Sequence, residues 1–356
     1  MIGKIKKLNF KTLVCLISIT ILIGSFHINN FYILFLFILS FSASVISTNK
    51  GISLFKKLDL IQNIQKEVLL KHENKKTTPT MGGIFIIPFF LLTILIIDFP
   101  SVTLKITLFL SVIGYFLIGF IDDFLSIKNK TNLGLNSRNK FILQAIITIL
   151  FIFSITENRV LNFDITLLNE ADYYQSILIG IIFLTIVGFS NAVNLTDGLD
   201  GLATGCSAIT FCGLGTEILL RNDENLIVYV MLCYCLSGIC LGFLKYNKYP
   251  AKIFLGDTGS LSLGAILGFI SVLTNSFYTT ILLSLIFIIE TSSVILQVSY
   301  FKLTKKFFNK GQRLFLMTPL HHHYELKGFK EEQIVDTFWK INIICMFLVI
   351  VLKISF

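Results

Sequence analysis

Charge is scarce in this chain. Only 14% of its 356 residues are Asp, Glu, Lys or Arg, and mean hydropathy is +0.80, whereas an ordinary soluble domain carries roughly 25% charge. Proline (5) and tryptophan (1) are rare, and no repeat, low-complexity stretch or soluble domain is visible. These shortages exclude a water-soluble globule, because 54% hydrophobic residues make more apolar surface than one such fold can hide. Cysteine is present but without pattern. Cys15, Cys206, Cys212, Cys233, Cys235, Cys240 and Cys345 fall almost wholly inside apolar runs, with neither CxxC pairing nor histidines at metal spacing, and read as small apolar side chains. The net charge of +9 does not point to nucleic acid, since the basic residues are scattered through short segments between apolar runs.

What the sequence does have is eleven apolar runs, at roughly 13–28, 31–47, 81–98, 104–121, 141–155, 176–193, 201–220, 226–244, 258–274, 278–298 and 336–354. Each is near the length a helix needs to cross about 30 Å of hydrocarbon. The expected fold is all-α: a polytopic transmembrane helical bundle of ten core spans, residues 1–356 forming a single membrane domain. The run at 13–28 is an extra N-terminal helix whose crossing of the bilayer is left open. No small-residue cleavage site follows it, so it is expected to be retained. Within 51–71, Leu54, Leu58, Ile61, Ile64 and Val68 recur at helical intervals with lysines opposite, the pattern of an interfacial amphipathic helix. Placing the 48–80 loop on the cytoplasmic side puts 25 of the 30 Lys and Arg residues on that side.

Five polar clusters interrupt the apolar pattern, and this topology sets all of them at one face. Lys75-Lys76-Thr77-Thr78-Pro79-Thr80-Met81-Gly82-Gly83 opens the third run with hydroxyls and lysines suited to phosphate, though an N-cap with basic anchors has the same composition. Asp122-Asp123 ends the fourth run, where both the hydrocarbon edge and a helix C-terminus disfavour carboxylates; cation binding or proton abstraction would supply the reason for them. Asn191 to Gly201 packs two amides, a hydroxyl and two carboxylates (Asn194, Thr196, Asp197 and Asp200 among them) into one turn. Asp257, in Phe254-Leu255-Gly256-Asp257-Thr258-Gly259-Ser260, opens the ninth run and suits Mg2+, with backbone amides behind it facing phosphate. His321-His322-His323 follow a proline, but adjacent histidines cannot converge on one metal, so phosphate contact is the better reading.

Acids, lysines, hydroxyls and histidines gathered on one face describe a site for a polyanion with a divalent cation, and phosphoryl transfer needs little more than positioning and charge neutralisation. A polyanion or proton-coupled transporter shares some of these parts, although its site would be expected near the bilayer midplane.

In order, TPTMGG, GFIDDF, NAVNLTDGLDGLATG, FLGDTGSLSLG, ETSSVILQVSYFK and PLHHHYELKG resemble the phospho-N-acetylmuramoyl-pentapeptide transferase family, across residues 75–328. The wider superfamily shares the acidic motifs and uses other sugar nucleotides, so another UDP-N-acetylhexosamine:polyprenyl-phosphate sugar-1-phosphate transferase is the nearest alternative. The resemblance implies transfer of phospho-MurNAc-pentapeptide from its UDP conjugate to undecaprenyl phosphate, giving lipid I and UMP, with Mg2+ as cofactor. It further implies a bacterial inner-membrane bundle, often a homodimer, with a cytoplasmic cleft beside a lipid groove. Carried onto this chain, Asp257 binds Mg2+, while Asp122 and Asp123 handle the lipid phosphate, one of them as base. Both direct attack and a phospho-aspartate route stay open. Lys75, Thr80, Asn194, Asp197, Asp200 and Phe254 take the nucleotide, the Phe254 ring stacking on uracil, and His321 and His322 contact the diphosphate or its neighbours.

Two positions depart from the family pattern. Thr77 replaces a glycine before TPTMGG, and Ser126 stands where a lysine commonly follows the acidic pair. Lys128 or Lys130 would restore that charge. Lys130→Ala is accordingly expected to weaken nucleotide binding, measured by titration of the UDP-sugar; unchanged affinity would remove Lys130 from the site.

Overall fold

The computed structural model describes residues 8–27, 30–58, 78–129, 134–157 and 171–355. Among them the regular elements are helical: α1 (Phe10–His27), α2 (Phe31–Lys57), a 3-10 turn (Gly82–Phe85) leading into α3 (Ile87–Ile96), α4 (Val102–Lys128), α5 (Ser137–Glu157), α6 (Ala171–Thr196), α7 (Leu202–Leu219), α8 (Ile227–Asn247), α9 (Gly256–Leu273), α10 (Phe277–Leu283), α11 (Leu285–Phe308), α12 (Leu320–Leu326) and α13 (Glu331–Ser355). Ten of these, α1, α2, α4 to α9, α11 and α13, are long and apolar enough to cross a bilayer, which makes the chain a multi-pass membrane protein.

The tally of ten matches the sequence reading, but its membership differs. The first run is a full helix packed on α2 and α7, and the third is the short one. Its start is tied down elsewhere: Gly82 and Gly83 donate to Phe254 O (2.9 Å) and Leu255 O (3.0 Å), and Phe254 N donates to Pro79 O (2.8 Å). Those bonds hold 79–83 alongside the loop before α9, so α-helical geometry begins only at Ile87, with proline in its first turn. The tenth run divides at Ser284 into α10 and α11. Residues 51–57 continue α2 without a break, and most of the rest of the 51–71 amphipathic stretch lies outside the described residues, as do Lys75 and Lys130.

Helices α7, α8 and α9 form the centre and are buried along most of their length, while α1, α2, α5 and α11 turn Ile19, Ile23, Phe35, Phe153 and Phe307 outward as a lipid-facing side would. Small residues allow this. A Cβ added at Gly268 would stand 2.7 Å from Ile186 Cα, and one at Gly264 would strike Phe189 O, so the pair four residues apart lets α9 lie directly on the α6 backbone.

At the bundle end away from the polar motifs, Arg221 locks three segments together. It pairs with both Glu217 oxygens (2.9 and 2.8 Å) and donates to Thr274 O (2.5 Å) and Ser276 Oγ (2.6 Å). Glu217 is buried, so Arg221→Ala strands a charge in the interior. The expected cost is about 3 to 5 kcal/mol, read as a lower melting temperature of the detergent-solubilised protein.

Candidate active site

One end of the bundle brings together the C-termini of α4 and α6 with the N-termini of α5 and α9. Asp122 and Asp123, adjacent in sequence, do different things there. Asp123 is a helix cap supplied by another helix: its Oδ1 accepts from Asp257 N (3.1 Å), and its Oδ2 from Thr258 N (2.9 Å) and Thr258 Oγ1 (2.6 Å). Asp122 instead faces a cation. Its Oδ1 accepts from Leu135 N (2.9 Å) and lies 2.9 Å from Lys140 Nζ, which stands 2.5 Å from Asp257 Oδ2. The other Asp257 oxygen accepts from Asn194 Nδ2 (2.8 Å), whose second partner is Ser260 Oγ (2.9 Å). A lysine ammonium therefore bridges the two carboxylates that face each other.

The neighbouring turn adds negative charge. Burial, reinforced by the carboxylates of Asp257, Asp123 and Asp200, pushes the Asp197 carboxyl up to about 8, and a hydrogen bond from Gly256 N–H only partly offsets this. Thr80 Oγ1 is buried without a hydrogen-bond partner, next to Gly256 on the same side as Asp123 Oδ2. Phe254 is half-buried and held by its backbone bonds to Pro79 and Gly82. Asp200 stands apart from the Lys140 bridge. Its Oδ2 accepts from Ala251 N (2.9 Å), its N donates to Glu331 Oε1 (2.6 Å), and it lines a separate cleft of about 240 Å³ with Phe10, Lys248 and Trp339.

His321 is buried, with its ring against Gly198 of that turn. Its Nδ1 lies 3.0 Å from Glu290 Oε2, while Nε2 and Glu290 Oε1 have no partner. Burial holds the imidazole below its ordinary pKa, against the opposing pull of Glu290. With Nδ1 on Glu290, the ring turns its unpartnered Nε2 toward the Gly198 turn. His322 packs on His321 with ring centroids 4.2 Å apart and bonds Glu325 (2.7 Å).

Asp122, Asp123, Asn194, Asp197 and Asp257 are thus gathered as the sequence suggested, with Thr80, Phe254 and His321 around them; Lys75 and Lys130 lie outside the described residues. Two participants were missed. Lys140 was counted with the orientation charges, although it is a lysine opening a run. Glu290 lay inside an apolar run, where an ionisable residue is itself a signal.

Comparison with known proteins covers this part of the chain. The profile described as "Glycosyl transferase family 4" matches residues 105–275, which span Asp122 to Asp257. A phospho-N-acetylmuramoyl-pentapeptide-transferase of Prochlorococcus marinus subsp. pastoris (strain CCMP1986 / NIES-2087 / MED4) is 53% identical over 100% of this chain and 99% of its own. The chain belongs to the phospho-N-acetylmuramoyl-pentapeptide-transferase family. A second member, from Prochlorococcus marinus (strain MIT 9312), is 54% identical over the whole of both chains, and one from Listeria monocytogenes serovar 1/2a (strain ATCC BAA-679 / EGD-e) is 41% identical over 87% of this chain and 96% of its own.

The two aspartates should separate experimentally. Asp123→Ala removes three accepted hydrogen bonds at the start of α9 and should cost about 1 to 2 kcal/mol of stability, the range of a lost helix cap. Asp122→Asn should leave the melting temperature within about 1 kcal/mol equivalent of wild type. Equal thermal shifts in the two variants would contradict this division of labour.

Proposed function

We propose that this family member transfers phospho-MurNAc-pentapeptide from its UDP conjugate to undecaprenyl phosphate, producing lipid I and UMP, the first membrane step of peptidoglycan synthesis. The observation that carries the reading is the facing pair Asp122 and Asp257 around one cation position at the end of a membrane bundle, in a chain with full-length relatives bearing that enzyme's name.

Magnesium suits this pair. Mg2+ commonly takes one or two protein carboxylates and completes its shell with water and substrate phosphates. Among the described residues no three Asp, Glu, His or Cys side chains surround one point, so Asp122 and Asp257 would hold the ion while the diphosphate supplies further oxygens. When bound, it neutralises charge on the diphosphate. Asn194 keeps Asp257 oriented. Asp123 holds the α9 start in place, and Asp122, with its Oδ1 at the cation position, has its Oδ2 to take a proton from the lipid phosphate. An oxygen of that phosphate attacks the sugar-bearing phosphorus, the phosphoanhydride bond breaks, and UMP departs.

Supporting the lipid side of the reading, a mainly apolar groove of about 320 Å³ lies between α6 and α11, lined by Ile181, Leu184, Phe189, Ile288 and Ala192, the last of them two residues before Asn194. The excess of Lys and Arg in the segments on the site's side favours the cytoplasmic face of a bacterial inner membrane. A site at the bundle end, and not at mid-depth, favours an enzyme over a transporter.

Purified protein given UDP-MurNAc-pentapeptide, undecaprenyl phosphate and Mg2+ should release UMP, and Asp257→Asn should lower turnover at least about 100-fold. Release of UMP only from a different UDP-N-acetylhexosamine would move the protein to the neighbouring transferases. Substrate flux in vesicles without UMP release would make it a transporter.

A further inference from the structure

We propose that the Lys140 ammonium is a built-in stand-in for the divalent cation: it holds Asp122 and Asp257 together in the metal-free protein and leaves that position when the metal ion enters. This rests on the reading of the site as a divalent-metal site. Nζ lies 2.9 Å from Asp122 Oδ1 and 2.5 Å from Asp257 Oδ2, and the two carboxylates make the same two-point grip on it that they would make on a metal. A metal ion and an ammonium cannot share that point, so one displaces the other.

The surroundings favour such an exchange. Each carboxylate is also held independently of Lys140, Asp122 by Leu135 N and Asp257 by Asn194, so both keep their places when the ammonium goes. Lys140 stands in the first turn of α5, with its side chain 18% exposed, on a flexible stem that can swing out. Without any cation, Asp122 and Asp257 would face each other beside Asp123 and Asp197, like charges with nothing between them. A lysine between them offsets part of that charge and keeps the two carboxylates at cation spacing until the metal arrives. The released ammonium, a compact charge with three donors, is then a few ångströms from the incoming phosphates.

The test is metal binding by the full-length, detergent-solubilised protein, with Mn2+ as probe and free Mn2+ read by electron paramagnetic resonance at about pH 8, where carboxylates are ordinarily ionised. Removing a like charge from the site should tighten Mn2+ binding at least about fivefold in Lys140→Met and Lys140→Gln, whereas Lys140→Arg, which keeps the charge, should stay within about twofold of wild type. Equal or weaker binding in folded Lys140→Met or Lys140→Gln overturns the proposal. In the wild-type protein, saturating Mn2+ should raise the rate at which an amine-reactive reagent labels Lys140, scored by mass spectrometry; an unchanged rate overturns it independently of any variant. Should wild type and both neutral variants, melting alike, bind no Mn2+, the divalent-metal reading fails and the stand-in falls with it. Wild-type binding without tightening in the variants sinks the stand-in alone.

Discussion

Helix α9 starts in the interior, where the first N–H groups of a helix have no partners of their own, and Asp123 meets two of them from the end of α4. A carboxylate at that position also sits at the positive end of the helix dipole, so the contact is favourable in charge as well as in hydrogen bonding. The joint needs close approach. A Cβ on Gly119, one turn before Asp123, would meet Thr258 Cα at 2.6 Å, and Gly256 takes φ +72°, a left-handed conformation that glycine adopts without strain. Asp257 is held where it is because α4 and α9 are joined here, and the contacts of Lys140 and Asn194 follow from that position.

This joint explains why the sequence disclosed the parts of the site but not their roles. The Asp122-Asp123 pair and the Gly256-Asp257-Thr258 turn stood out because carboxylates are costly at a hydrocarbon border, and the same cost applies to both members of the pair. What separates them is a partner 134 residues away, Asp257 N, which local composition does not encode. Lys140 was hidden for a related reason: a lysine near the end of a span satisfies the charge rule for orientation whether or not it pairs with acids. The helix count was legible because hydropathy and length set it. The brokenness of the third run was not, since it comes from backbone bonds to Phe254 and Leu255 across the molecule.

Charge balance links the arrangement to the chemistry proposed for it. Asp122 and Asp257 share one lysine, with Asp123 and Asp197 beside them, so the cluster is short of positive charge. A diphosphate approaching alone would meet net repulsion. A divalent cation offsets most of that negative charge, and the same carboxylates that repel the free nucleotide would hold the ion that attracts it. On the proposed reading, metal and nucleotide therefore favour each other's binding through charge alone, without any movement of the helices.

Helix α6 joins this polar cluster to the apolar groove. Leu184, Gly188 and Ala192 line the groove on one face, Asn191 bonds Gln144 of α5 (2.9 Å) on a second, and Ser190 and Asn194 reach α9 on a third. Ala192 and Asn194 are two residues apart, about 3 Å along the axis, so a prenyl chain lying in the groove would end within a few ångströms of the carboxylate that binds Asn194. On the proposed reading, the direction of α6 thus sets which end of a lipid acceptor would reach Asp257: its phosphate, because Asn194 and Asp257 meet at the helix C-terminus. A site at mid-depth would have to bury that phosphate among hydrocarbon, where an unpaired charge is costliest, whereas at the end of the bundle its charge would meet Lys140 and the proposed hydrated cation.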